Sequence, residues 1–185
     1  MSERKRWLID ACVLYPTVMR EMVLGVAEAG AFDVRWSPRI LEEWARAAAK
    51  LGPAGEAQAR AEVAALAPRF PRAEVRPPPG AEARLWLPDP ADIHVLAAAV
   101  TGSCDGIMTL NARDFPRNLL AEERLVRVDP DGALLTAFHA DEAAVRSVAD
   151  RVLAEARRLS GEDWEIRALM RKARLPRLGK ALGAG

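Results

Sequence analysis

Hydrophobic runs short enough to be strands alternate with apolar residues at helical spacing along most of the chain. "RWLIDAC" (6–12) reads as a buried strand, and "TVMREMVLGVAEAG" after it predicts a helix that stops at Gly30. "FDVRW" predicts a second short strand. Ser37 and Pro38 then supply an N-cap and a first-turn proline for a helix across "RILEEWARAAAKL", which ends near Gly52-Pro53. A further helix covers "GEAQARAEVAALAPRF", and "AEVRPPPG" predicts a brief extended piece running into a stiff Pro77-Pro78-Pro79 turn. Asp89-Pro90 opens an apolar helix in "DPADIHVLAAAV". "GIMTL" and "RLVRVD" are the last two strands, with a short turn of helix between them.

Strands alternating with helices predict an α/β fold, a three-layer α/β/α sandwich about a central parallel sheet. From about Ala140 the pattern is helix alone, in "DEAAVRSVADRVLAEARRL" and "GEDWEIRALMRKARL". Residues 6–139 therefore read as one α/β domain and 140–185 as a helical C-terminal extension.

Composition adds limits to this picture. The chain has 185 residues, of which 50% are hydrophobic, enough for one α/β core with a small appendage. Its two cysteines, Cys12 and Cys104, lie far apart with no second pair for a metal knuckle, which fits a reducing compartment without disulfides. No apolar run approaches the roughly 20 residues of a membrane span. "MSERKRWLID" is basic but has no apolar signal core, so the expected location is cytoplasmic. The net charge of +1 is uneven: the segment from Arg151 onward holds nine Lys/Arg against four Asp/Glu, leaving the rest at −4. An acidic body with a basic tail suits an acidic site beside a surface that attracts anions, although a solvated basic helix has the same composition.

Sites in open parallel sheets form at the carboxyl ends of strands. Asp10 lies at the first strand exit, and Asn111 at a later one, with Asp114 three residues on. Asp89 and Asp92 open the helix between. On the helix after Pro38, Ile40, Trp44, Ala47, Ala48 and Leu51 mark one face; Glu42 points away from it and Glu43 lies on its border. Each acid has an ordinary structural reading. Asp89 and Asp92 stand as cap and third residue, nearly a capping box, and Asn111 and Asp114 repeat that spacing. Taken together, carboxylates crowded at strand exits repel one another unless a cation neutralises them, and an all-oxygen set selects Mg²⁺ or Mn²⁺ over zinc. The division of roles expected here is that Asp89 starts the helix and Asp92 does chemistry.

Other chemistries fit less well. A haloacid-dehalogenase phosphatase needs a second Asp where this chain has Cys12, and a phosphoacceptor receiver needs paired acids at the first strand. No glycine-rich phosphate loop or dinucleotide fingerprint occurs. His94 and His139 lack a metal-ligand spacing, and His94 reads as a helix-edge or hydrogen-bonded residue. Trp7, Trp36, Trp44, Trp86 and Trp164 read as core and interface aromatics.

Four segments, "LIDACVLYP", "SPRILEEW", "DPADIHVLAAAV" and "TLNARDFP", occur in the order and spacing of the PIN-domain ribonucleases, and most resemble the VapC-type toxins of bacterial toxin–antitoxin pairs. The resemblance spans roughly residues 7 to 138, and "LMRKARLPRLGKAL" resembles the helical tail of one VapC subgroup. It implies metal-binding acids at Asp10, Glu43 and Asp92, with Asn111 or Asp114 completing the site and Thr109 close to it. It also implies Mg²⁺- or Mn²⁺-dependent hydrolysis of RNA, a cognate antitoxin protein as partner and a homodimer. Two positions depart from the family pattern: Cys12, where many members have Asn, and Asn111, where many have Asp. Arg113, Arg117 and the basic tail are candidate phosphate contacts. A non-catalytic module that binds a cation or a basic partner is the alternative from another class.

Overall fold

The computed structural model describes residues 4–184. Four short strands, β1 (Arg6–Ile9), β2 (Asp33–Arg35), β3 (Gly106–Met108) and β4 (Val126–Val128), pair in parallel in the order β2-β1-β3-β4. Neighbouring parallel strands need crossover connections, and helices supply them. α1 (Ala11–Leu14) and α2 (Thr17–Glu28) lie between β1 and β2 in sequence. α3 (Pro38–Ala48), α4 (Pro53–Arg69) and α5 (Ile93–Thr101) lie between β2 and β3, and α6 (Arg117–Glu122) precedes β4. Leu8, Ile9, Ile107 and Met108 are all fully buried. Successive strand residues face opposite ways, so both faces of the two central strands are covered. This is the α/β class with a central parallel sheet that the hydrophobic pattern predicts.

The chain folds into two compact units. The first runs up to Tyr15 and resumes over Asp33–Val128; the second comprises Pro16–Phe32 and the chain from Asp129 onward.

The first unit holds the sheet. β1 sits between β2 and β3, with Ile9 beside Met108, so the residues that follow, Asp10 and Thr109, leave the sheet side by side. Gly106 is required at this crowded point: a Cβ there would run into the Val126 carbonyl and lie 3.0 Å from the Trp7 ring. α3 buries Ile40, Leu41, Trp44, Ala45 and Ala48, and Ser37 caps it by accepting from the Ile40 N–H at 3.2 Å. The extended piece expected before the prolines is a single bridge, Trp36 to Glu74, closed by Trp36 N–H to the Ala73 carbonyl and Val75 N–H to the Trp36 carbonyl.

The second unit is helical: α2 together with α7 (Pro130–Ala140), α8 (Glu142–Ser160), α9 (Ile166–Lys172) and α10 (Pro176–Leu182). α2 approaches α8 so closely at Gly25 that an added Cβ would lie 2.6 Å from Val148 Cγ1. The short α10 is held at both ends. Buried Asp131 accepts from the backbone N–H groups of Arg177 (3.0 Å) and Leu178 (2.9 Å) and from Arg177 Nε (3.2 Å). At the other end Arg146 donates to the Leu182 carbonyl at 2.8 Å. An acid at the N-terminus and a cation at the C-terminus also complement the helix dipole.

Local details differ from the pattern-based expectations. β1 stops at Ile9 instead of Cys12, because Asp10 takes extended angles (φ −72°, ψ 151°) as the N-cap of α1. Pro16, also extended and lacking an N–H, separates α1 from α2. Residues 130–140 form α7, although its signals stood in the sequence: Asp129 caps the Gly132 N–H at 2.9 Å and Pro130 takes the first turn. The last helical stretch splits at Arg174, in the left-handed region (φ 64°), followed shortly by Pro176. Trp36 and Trp44 are core residues, but Trp86 is 64% exposed.

Candidate metal centre

The site forms where β1 and β3 end. Asp10 is held by its backbone, whose N–H donates to the Met108 carbonyl at 3.0 Å. Its Oδ2 accepts from Thr109 Oγ1 at 2.7 Å and from Cys12 Sγ at 3.2 Å. Oδ1 has no partner among the described residues and is left available. Thr109, 3% exposed, in turn accepts from the Asn111 N–H at 3.0 Å, tying the loop after β3 to the same carboxylate. Burial, followed by the nearby Asp10 charge, pushes the Cys12 thiol up to about 12. It is therefore a protonated donor at neutral pH, steadying Asp10 without adding an oxygen ligand.

Asp92 is the least supported carboxylate of the group. It stands at the N-cap of α5 yet makes no capping hydrogen bond, and no ion pair reaches it among the described residues. Its pKa is pushed up to about 6, first by burial and then by the charges of Asp10, Asp89 and Asp114, with His94 pulling the other way. The cap in this segment is Asp89, whose Oδ1 accepts from the Ala91 N–H at 2.9 Å and starts a 3₁₀ turn over Pro90–Asp92.

Asn111 and Asp114 are locked to each other: Asn111 Nδ2 donates to Asp114 Oδ2 at 2.7 Å, and the Asp114 N–H donates to Asn111 Oδ1 at 3.3 Å. Both polar ends of the asparagine are thus engaged with Asp114, and it is the aspartate that joins the cluster. One carboxylate oxygen from each of Asp89, Asp92 and Asp114 lies within 4.8 Å of the others. Of the two residues that could complete the site, the structure brings Asp114 to the acids and makes Asn111 its support.

Glu43 stands apart from that trio. Its Oε1 is 2.7 Å from Nε2 of His94 and 3.8 Å from Nε of Arg39. His94 is 4% exposed, and neither of its ring nitrogens makes an aligned hydrogen bond. Glu42 is as exposed as Glu43, 38% against 39%, so burial does not separate the two, and it is gripped by Arg46 and Arg60, at 2.8 and 2.9 Å. The distinction drawn between the two glutamates from helical periodicity is a difference of partners: one faces arginines, the other a buried imidazole.

The sequence reading missed two participants. Asp89 belongs to the acidic group as well as capping the turn. Its i, i+3 relation to Asp92 was a usable signal, because residues three apart share a helical face. The His94–Glu43 contact joins residues from different helices, and nothing local announces it.

The cluster fits a divalent cation on the chemistry of its donors. Its ligand atoms are all oxygens, they carry more negative charge than they can balance, and Asp92 has an otherwise unmet need for a positive partner.

The PIN domain family matches residues 6–113, more than half of the chain. The match includes every residue of the site except Asp114, which follows its end directly. No curated protein and no solved structure matches the chain. No helix among the described residues is long and apolar enough to cross a membrane.

Proposed function

The chain belongs to the PIN-domain family, a family of metal-dependent nucleases, and from that premise we propose that it is a Mg²⁺- or Mn²⁺-dependent endoribonuclease, the toxin of a type II toxin–antitoxin pair. The observation that carries the nuclease reading is Asp92: a carboxylate without a hydrogen bond or ion pair among the described residues, its pKa raised by burial and then by three neighbouring acids. The four segments and the C-terminal tail that resemble VapC toxins support the toxin assignment. A cognate antitoxin, a homodimeric state and a cytoplasmic location belong to the same proposal.

In this mechanism Asp89, Asp92 and Asp114, whose oxygens lie together, would hold the cation, and Asp10, whose charge reaches Asp92, would complete the set. When bound, the cation supplies Lewis acidity, easing deprotonation of an attacking water and taking up charge that develops on the phosphate. The remaining work falls to the protein. Thr109 and Cys12 fix Oδ2 of Asp10, so its free oxygen keeps one direction. Asn111 does the same for Asp114. Glu43, beside His94, orients water or a ligand near the acids. No side chain needs to become a covalent nucleophile.

The test is expression in cells followed by assay of the purified protein. Growth should stop on induction and recover with Asp10→Asn or Asp92→Asn, and sequencing of RNA 5′ ends after brief induction should show the cut sites. The purified chain should cut RNA with Mg²⁺ or Mn²⁺ and fall silent in EDTA. Cleavage that persists at the same sites in EDTA refutes the metal mechanism, and unimpaired growth refutes the toxin role.

A further inference from the structure

A cleft of about 460 Å³ opens in the first unit, between the start of α3 and the proline turn. Arg39, Arg76, Glu82 and His94 line it, and the Pro77–Pro79 run forms one wall. Its volume lies within the roughly 300–1,000 Å³ of small-molecule sites. The wall is stiff, since prolines have one fixed backbone angle and little freedom to lose when a ligand settles against them.

Two features mark the cleft as built for a ligand. His94 is 96% removed from solvent, yet its Nδ1 has no partner and its Nε2 meets only the poorly aligned Glu43. A buried polar atom left in that state carries a penalty that a hydrogen bond from a ligand would remove. Of the two arginines, Arg39 is loosely held and Arg76 is engaged only by a close ion pair at the exposed surface. Arg39 reaches Glu82 only at 3.6 Å and Glu43 at 3.8 Å, while Arg76, 76% exposed, pairs with Glu74 at the surface. Either can turn to an anion at small cost, because exposed ion pairs contribute little to stability. The N-terminus of the eleven-residue α3 opens on the same side.

The place of the cleft says what the ligand is. His94 lies two residues beyond Asp92 and touches Glu43, so the cleft adjoins the acidic centre through residues of both α3 and α5. We propose that it is the binding subsite for one nucleotide flanking the cut. The base lies against the Pro77–Pro79 wall with an edge toward His94, and the neighbouring phosphate sits between Arg39 and Arg76. This rests on the ribonuclease reading for its biological meaning, but its binding chemistry can be measured without cleavage.

The experiment is calorimetric titration of the full chain, in EDTA, with each of the four nucleoside 5′-monophosphates and with inorganic phosphate. A mononucleotide has no diester to cut, so binding is read independently of activity. At least one nucleotide should bind, more tightly than phosphate alone, and Arg76→Ala and His94→Gln should each weaken it fivefold or more. In RNA cleavage with Mg²⁺, Arg76→Ala should raise KM about fivefold and leave kcat unchanged, the pattern for lost uniform binding. Absence of nucleotide binding by the folded chain overturns the subsite. So does phosphate binding as tightly as every nucleotide, or nucleotide binding indifferent to both substitutions. If instead nucleotides bind as expected and RNA is never cut, the subsite stands and the ribonuclease reading falls.

Discussion

Asp92→Asn should stabilise the metal-free protein at neutral pH, and the size of the effect follows from the site. Moving a carboxyl from 3.8 to about 6 corresponds to about 3 kcal/mol of disfavoured ionisation. Asp92 is only partly buried, so solvent screening reduces this to about 1–2 kcal/mol. Asparagine forfeits the attraction of a first-turn acid to the helix dipole, about 0.3–1 kcal/mol, but no capping bond, because Asp92 makes none. A net gain of about 1 kcal/mol remains, a rise of about 2–4 °C in Tm for a chain of this size.

The sign depends on pH. The folded chain holds the Asp92 proton more tightly than the unfolded chain does. Below 3.8 both states are protonated and the residue costs nothing; as pH rises toward 6 the wild type loses stability, and above that the full cost is present. The advantage of asparagine should therefore be absent near pH 3.5 and complete by pH 7. Urea denaturation in EDTA at several pH values, followed by circular dichroism, measures it. Added Mg²⁺ should reverse the order: at about one hundred times its Kd it stabilises wild type by about 2.7 kcal/mol, and the variant far less. A variant less stable than wild type at pH 7 without metal, or a difference that ignores pH, would refute the picture of an uncompensated carboxylate.

Three other substitutions probe neighbouring claims. Asp89→Asn should keep the cap, leaving metal-free stability within about 0.5 kcal/mol, but should weaken Mg²⁺-induced stabilisation in thermal melts; full Mg²⁺ stabilisation would remove Asp89 from the cluster. Asp131→Ala orphans two backbone N–H groups and leaves the Arg177 guanidinium with Asp129 alone, and should cost about 2–3 kcal/mol in urea unfolding; less than 1 kcal/mol would mean α10 is held by other contacts. Gly25→Ala should cost about 1–3 kcal/mol through its collision with Val148, and Val148→Ala in the same chain should return part of that, which a double-mutant cycle reads directly.

How much of this was legible beforehand varies with the range of the interaction that decides each feature. Ser37-Pro38 and Asp89-Pro90 announce their helices because a cap is settled within three residues, and the structure has both. Asp129-Pro130 sends the same signal, and it starts α7. The grouping of α2 with the C-terminal helices was not legible at all. It depends on Gly25 meeting Val148 across more than a hundred residues, and periodicity reports only that each helix has an apolar face.

The same rule of range explains the site. Asp10 was placed correctly at a strand exit because strand ends follow from hydrophobic runs, but its tie to Thr109 needs the parallel register of β1 with β3, which no local pattern encodes. The opening of α5 is the sharpest case, because Asp89 and Asp92 satisfy the spacing of a capping box equally well as letters. In the fold only Asp89 returns its side chain to the backbone, and it does so while also sharing the acidic cluster. Asp92 is left without a donor, among acids brought there by three separate segments. A carboxylate that helix formation does not use, in a place that charge repulsion disfavours, is stable only if something positive completes it. That deficit, visible only once the strands are assembled, is what separates a ligand from a cap.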